Sequence, residues 1–505
     1  MQYSNFRSGI RSIVIFFGMA GVIVTSAVAG QEPVGNGGSH QDPTLSPPAV
    51  EMEKRIQLLE EQLGQIKAEL ERLKASMGQP AESRPKASIG QDATAARAVV
   101  EVKSEPQTTA AKSSAQQKQI GFDLGSVRVV PYGTIYFNAF TNTGAVNNQD
   151  VPMFAATSGQ GGTSASLRQT RLGIRFDGAK VGNARLGGVL EADFFGGFPS
   201  VGIGENFGIV RLRLANVKMD WEKTSVTVGQ DWMPFAPVNP TSIASAAIPQ
   251  LASAGNNWAR LPQVRVDHKL NGNFTLTGAV LAPQTGDYPA TSFSLQNSSG
   301  SASRVPFFQS RIAYADRDWW GTKKAGSIGV SGHYGKSRFF IGPNSLRQDV
   351  DSNGVALDWN FPLHARVTLA GEAFVGRDLG GFQAGVFQSV NTEFAYRDGV
   401  TVTPAGVRAI GSRGGWAQVG FTPNVFGEKW SLFGSVGVDD PRNEDLTSVS
   451  RFNFRARNFA YAFNTIYKVT PQFSLGAEFR RFETTYFITG RRTSEHINLG
   501  ATYSF

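Results

Sequence analysis

The chain contains no cysteine, which excludes a disulfide framework, a thiolate metal site and a thiol nucleophile. Histidine is scarce, with five residues in all. Of these, His268, His333 and His364 stand in strand-like or turn-like surroundings and read as surface positions. No histidine sits in a motif with a serine or acid that would make it a general base. No stretch of about 18 apolar residues occurs, so no membrane-spanning helix is expected. No self-similarity recurs at a fixed period, which argues against a solenoid or a propeller.

What is abundant is glycine (57 residues), phenylalanine (36 residues) and small polar side chains. That mixture suits strands with one apolar and one wet face. The chain begins with Arg7 and Arg11, an apolar run from Ile13 to Val24, and the small-residue pattern Ala27-Val28-Ala29. This reads as a secretory signal peptide over 1–29. Residues 30–48, rich in Gly, Pro, Ser and Gln, read as a flexible spacer.

A different period follows over 49–78. Met52, Ile56, Leu59, Leu63, Ile66, Leu70, Leu73 and Met77 recur with alternating spacings of four and three. Ile56, Leu63, Leu70 and Met77 take position a of a heptad, and Met52, Leu59, Ile66 and Leu73 take d. Arg55 faces Glu60 and Glu69 faces Lys74 across g-to-e positions, which supports parallel assembly of identical chains. The oligomerisation seam is thus Ile56, Leu59, Leu63, Ile66, Leu70 and Leu73; mixed Leu and Ile leave two strands or three open. Residues 79–120 carry no period and read as a linker.

From 121 to 505 nearly every segment alternates. Leu172, Ile174 and Phe176 fall opposite Arg171 and Arg175. Phe274, Leu276, Gly278 and Val280 alternate with Thr275, Thr277 and Ala279. The last ten residues end on Ile497, Leu499, Ala501, Tyr503 and Phe505 at every second position. With a signal peptide and no spanning helix, this pattern predicts an all-β, transmembrane antiparallel β-barrel of about 16 strands. Aromatics gather at strand ends: Tyr314 with Trp319-Trp320, Trp359 with Phe361, Trp430, and Tyr461 with Phe463, as interfacial girdles require. The terminal strand is expected to close against the first one near Tyr132. Phe505 reads as a signal to the barrel assembly machinery.

In such a barrel, the charges that alternate with lipid-facing residues point into the lumen. The expected pore-lining set is Arg171, Arg175, Arg211, Arg213, Arg265, Arg311, Arg455, Arg457 and Arg480, with Glu191, Asp193 and Glu478. Residues 121–505 hold 36 Lys plus Arg against 28 Asp plus Glu, and a low-dielectric wall focuses such an excess on anions. The interval from Met233 to Pro262 breaks the strand rhythm, with Pro234, Pro237, Pro240 and Pro249 among Ala, Ser and Asn. It is too long for a turn and too rich in proline for a strand. Such a segment is either a large external loop or one folded inward as a constriction; the inward fold is favoured, which would put Asp231, Asn257 and Arg260 near the narrowest point.

The order of signal peptide, short coiled coil, linker and barrel resembles the DcaP-like outer-membrane porins. So do Ser166-Leu167-Arg168-Gln169-Thr170-Arg171-Leu172-Gly173, Leu190-Glu191-Ala192-Asp193-Phe194-Phe195-Gly196, Val228-Gly229-Gln230-Asp231-Trp232 and Leu261-Pro262-Gln263-Val264-Arg265. The resemblance spans the chain and is most specific between about 165 and 270. It implies a homotrimer in the outer membrane, a periplasmic coiled coil, and passage of small anionic solutes such as dicarboxylates, with Arg168 and Arg171 as motif arginines. Residues 283–310 and 376–415 follow no family pattern. No cofactor, catalysis or nucleic-acid partner is expected. The competing readings are a tether from membrane to cell wall through the coil, a barrel hydrolase, and a trimeric adhesin, which gives only a few strands per chain.

Overall fold

A computed structural model describes residues 121–197, 208–285, 287, 297–341 and 345–505. The expected signal peptide, spacer, coiled-coil seam and linker lie outside the described residues.

The alternating half of the chain forms one antiparallel sheet that closes on itself. β1 (Phe122–Leu124) is a short hairpin partner of β2 (Val127–Asn142), and β3 (Gly162–Ser166) and β4 (Arg171–Val181) run in succession along β2. The wall continues through β5 (Ala184–Asp193), β6 (Arg211–Asp220), β7 (Thr224–Trp232), β8 (Arg260–Lys269), β9 (Phe274–Leu281), β10 (Phe307–Asp316), β11 (Gly326–Ile341), β12 (Leu346–His364) and β13 (Val367–Arg377). A separate hairpin, β14 (Val390–Asp398) with β15 (Thr401–Ala409), interrupts the wall. It resumes with β16 (Gly411–Phe421), β17 (Trp430–Pro441), β18 (Arg455–Lys468), β19 (Phe473–Tyr486) and β20 (Gly490–Ser504). With β3 and β4 as one stave and β1 set aside, the barrel has 16 staves, as the sequence predicted.

Closure occurs where expected. β20 pairs with β2 from Thr134 opposite Ser504 to Asn142 opposite His496. Gly133 and Phe505 exchange both backbone hydrogen bonds, at 3.2 and 3.1 Å. With both edges joined, no row of backbone donors is left open to lipid.

The two faces invert the rule for a water-soluble protein. On β20, Ile497, Leu499 and Tyr503 are exposed while His496 and Asn498 are buried. Leu172 and Ile174 on β4, Val264 and Val266 on β8, and Val419 and Phe421 on β16 are likewise exposed, alternating with less exposed inward residues that include the buried Gln263 and Gln418. Apolar side chains outside and amides inside are stable only if the outer solvent is hydrocarbon. At the rim with the short turns and Phe505, Trp319 stacks on Phe361 at 5.2 Å, Phe274 meets Tyr314 edge-on at 5.0 Å, and Phe426 lies beside Trp430 and Tyr467. That is the girdle expected from the sequence, on one rim; Tyr461 and Phe463 sit higher, within the belt.

Among the connections at the opposite rim, Asp378 follows β13 and is buried, accepting a bond from Ser337 Oγ at 2.6 Å. Burial pushes its carboxyl up from 3.8 to about 7. The unfolded chain therefore loses this proton first as pH rises. The resulting stabilisation is complete below about pH 4 and is lost as pH climbs to about 7. Asp378→Asn should remove that slope, roughly 2–4 kcal/mol across the window, as read from urea midpoints of the lipid-folded barrel between those pH values.

Candidate pore and its constriction

The segment after β7 does fold inward. Its prolines lack the N–H a ladder needs, and residues 233–259 carry no charged side chain, so the segment can enter the barrel without bringing an unpaired ion. Its two ends meet, with Met233 N–H donating to the Ala259 carbonyl at 3.1 Å. Between them, the loop makes a circuit of the inner wall.

Phe235 N–H donates to Gln309 Oε1 (3.1 Å) and Ala236 N–H to Ser331 Oγ (3.1 Å). Gln418 brackets Thr241, accepting from its N–H at 2.8 Å and donating to its carbonyl at 2.9 Å. Gln169 accepts from the N–H groups of Ala246 and Ala247, at 2.7 and 3.0 Å, and donates to the Ala244 carbonyl at 2.9 Å. Asn458 donates to the Ser253 carbonyl at 2.8 Å, and Glu372 accepts from both the backbone and side-chain nitrogens of Asn257. Wall amides thus replace the missing strand ladder, each bond contributing about 1 kcal/mol net. At Gly255 (φ 102°) a Cβ would lie 2.1 Å from the Gly415 carbonyl oxygen. Loop and wall backbone touch there, and only glycine fits.

Most of the expected arginines face inward and are already paired. Arg168 meets Asp150 at 2.6 Å; Arg211 meets Asp193 at 2.6 Å; Arg213 meets Glu191 at 2.6 Å and Asp193 at 2.9 Å. Arg265 lies between Asp267 (3.0 Å) and Asp231 (3.4 Å), Arg311 reaches Asp358 at 2.5 Å, and Arg480 is bound to Glu478. Arg455 donates to the carbonyls of Val386 (2.8 Å) and Phe387 (3.3 Å). The positive excess counted along the chain is therefore largely neutralised at the inner wall.

Arg171 and Arg175 differ. Both point inward from β4, and among the described residues neither makes an ion pair. Their guanidinium carbons lie 6.0 Å from the Tyr136 ring and 5.3 Å from the Tyr132 ring, respectively. Tyr132 lies over Gly173, between the two arginines, and its hydroxyl donates to Glu191 at 3.0 Å. A Cβ on Gly173 would meet the Tyr132 ring at 2.4 Å. Gly173→Val should expel that ring and break the Glu191 contact, at about 1–3 kcal/mol, visible as a lower melting temperature of the heat-modifiable folded band.

Four expectations need correction. Arg457 is not a pore residue: on β18 Asn458, Ala460, Ala462 and Asn464 are the buried, inward row, and Arg457 is exposed on the opposite face with Phe463. Arg260 stays inside the barrel beside the loop's Trp258 but is covered there, its Nε and Nη2 buried, and does not line open water. Its guanidinium instead lies over Trp232 at 4.0 Å and faces Trp258 at 5.2 Å. Asn257 anchors the loop to Glu372 rather than facing open water. His333, read as a surface residue, is buried, bonded to Gln309 (3.3 Å) and Ser352 (3.1 Å) and edge-on to Phe307. His268 and His364 are exposed as expected.

What the sequence reading missed is the set of loop-holding amides: Asn138, Gln169, Gln418, Asn458 and Asn464. Four of them sit at inward parity in mid-strand, which is the signal that was available.

Part of the inner wall stays open to water. Arg211, Asp231, Arg265 and Arg311 keep 26, 17, 14 and 14% of their side-chain surface, whereas the carboxylates Asp193 and Asp358 that pair with Arg211 and Arg311 keep none.

No family model and no curated protein matches the chain. Among solved structures, the outer membrane channel DcaP of Acinetobacter baumannii aligns over 76% of this chain and 99% of its own, at 19% identity and a TM-score of 0.58. An anion-selective porin from Comamonas acidovorans aligns over 75% of this chain and all of its own (13% identity, TM-score 0.46). Salmonella typhi OmpF, solved with daunomycin, aligns over 76% of this chain (14% identity, TM-score 0.46). The resemblance read from the sequence is therefore matched in the fold: the described barrel is similar to the DcaP channel over nearly the whole of that structure.

Proposed function

We propose that the protein is an outer-membrane porin, a passive diffusion channel for small hydrophilic anions, carboxylates in particular. The observation that carries this is the closed barrel, apolar outside, whose neutral loop leaves Arg171 and Arg175 as inward cations outside ion-pair distance of any carboxylate among the described residues, with Glu191 of the neighbouring stave acting on Arg171 from further away. Arginine's planar fork matches a carboxylate in two hydrogen bonds, and the tyrosines beside it supply an apolar edge. The paired arginines keep the wall hydrated without adding net field.

In this reading the chain is exported by its signal peptide, delivered to the assembly machinery through Phe505, and held as a homotrimer, with the coil of residues 49–78 in the periplasm. The outward face of β3–β6 supports the trimer. Leu167, Leu172, Leu190, Val210 and Leu212 keep it apolar toward the rim with the long connections, where the staves from β11 to β20 turn charged. A face of that kind suits a second copy better than lipid headgroups.

Planar-bilayer recordings of the full chain test the proposal. Three coupled conductance levels and an anion-selective reversal potential are expected. Cation selectivity at moderate salt would overturn the solute class, and absence of conductance would overturn the channel itself.

A further inference from the structure

Toward the rim with the long connections, the outward face of β11 to β20 changes from apolar to charged. Arg338 on β11, Arg377 on β13, Arg413 on β16, Arg457 on β18, Arg481 on β19 and Arg491 on β20 all occupy outward positions there. Carboxylates stand between them without matching them in number. Arg413 and Asp440 approach to 3.4 Å, with the arginine side chain 78% exposed, a pairing too open to hold its partners tightly.

In the middle of this arc is a cavity of about 460 Å³ lined by Phe374, Arg413, Gly414, Val438, Asp440 and Arg457. Between the two arginines its lining is the Gly414 backbone and the Val438 side chain, with Asp440 at the edge. Two guanidinium groups and one carboxylate leave the mouth net positive. Below it, Val436 and Phe463 are exposed and apolar.

We propose that this hollow binds the phosphate headgroup of an anionic membrane lipid. Arg413 and Arg457 hold the phosphate, and the acyl chains lie along Val436, Val438 and Phe463. Arginine forks pair with phosphate oxygens in a directed way, and a lipid satisfies the charged mouth and the apolar wall beneath it together. A soluble phosphate meets only the first half of that surface. The proposal rests on the reading that the barrel crosses a membrane, and it assigns to Arg457 a role outside the pore.

The test uses the full-length protein in nanodiscs of phosphatidylcholine with or without phosphatidylglycerol, with retained lipids read by native mass spectrometry. The wild type should retain phosphatidylglycerol over phosphatidylcholine. The double variant Arg413→Ala/Arg457→Ala should retain about tenfold less of it, at unchanged single-channel conductance. Added inorganic phosphate should not displace the lipid. Equal retention by wild type and variant, or no preference for the anionic lipid, would overturn the proposal. Displacement by phosphate would make the site one for an adventitious ion only. A changed oligomeric state in the variant would assign the surface to a second copy instead. Failure of the channel reading appears separately, as absence of conductance in both proteins.

Discussion

Removing residues 241–254, with the ends of the inward loop rejoined by a short turn, should raise single-channel conductance severalfold. The loop supplies no rung of the barrel. The staves close through β20 on β2 without it, and its ends already meet at Met233 and Ala259. What it supplies is volume in the middle of the barrel, where its peptide groups cover Asn138, Gln418 and Asn458 and its Ser242 hydroxyl covers Glu478. Once uncovered, these side chains exchange loop partners for water, at a cost of about 1 kcal/mol or less for each bond. The deleted protein should therefore still migrate as a folded, heat-modifiable barrel while passing larger solutes. Unchanged conductance in planar bilayers would mean that the loop does not set the constriction.

The second large effect is electrostatic. Arg171→Glu with Arg175→Glu should turn an anion-preferring channel into a cation-preferring one. At about 10 Å from a permeating ion in a water-filled lumen, each unit of charge contributes roughly 0.4 kcal/mol. The four units changed by the double reversal give about 1.6 kcal/mol, or roughly a 15-fold shift in the local concentration of a monovalent anion. The shift should shrink at high salt, where the screening length falls to about 3 Å at 1 M. Arg457→Glu, on the outer face, should leave the reversal potential unchanged. Reversal potentials under a potassium chloride gradient read both variants.

The barrel itself was legible because period two is a local property. Whether Leu499 faces lipid follows from its neighbours in sequence, and 385 residues of such pattern leave few folds open. The inward loop was legible for the opposite reason, since four prolines without a strand period exclude the wall. Pairing was not legible. Arg213 looked like a free pore cation, but its partners Glu191 and Asp193 come from the neighbouring stave, a contact set by register. Arg457 failed differently. Its bulged stretch on β18 shifts register between Arg455 and Arg457, so parity counted from Arg455 gives the wrong face. His333 is polar at an inward position, and only the loop and the connection carrying Phe382 bury it. The amides that hold the loop were overlooked because attention to charge passed over Asn and Gln.

The central claim is that water and solute pass beside Arg171 and Arg175, between β4 and the loop. The absence of native cysteine makes it directly testable, because any introduced cysteine is the sole reactive thiol. Arg175→Cys, Asn498→Cys and Val438→Cys should be recorded in bilayers before and after a charged, membrane-impermeant thiol reagent. The account predicts an abrupt fall in conductance for Arg175→Cys alone, since Asn498 lies behind the loop and Val438 faces lipid. Full labelling of Arg175→Cys with no change in current, or a block through Asn498→Cys instead, would contradict it.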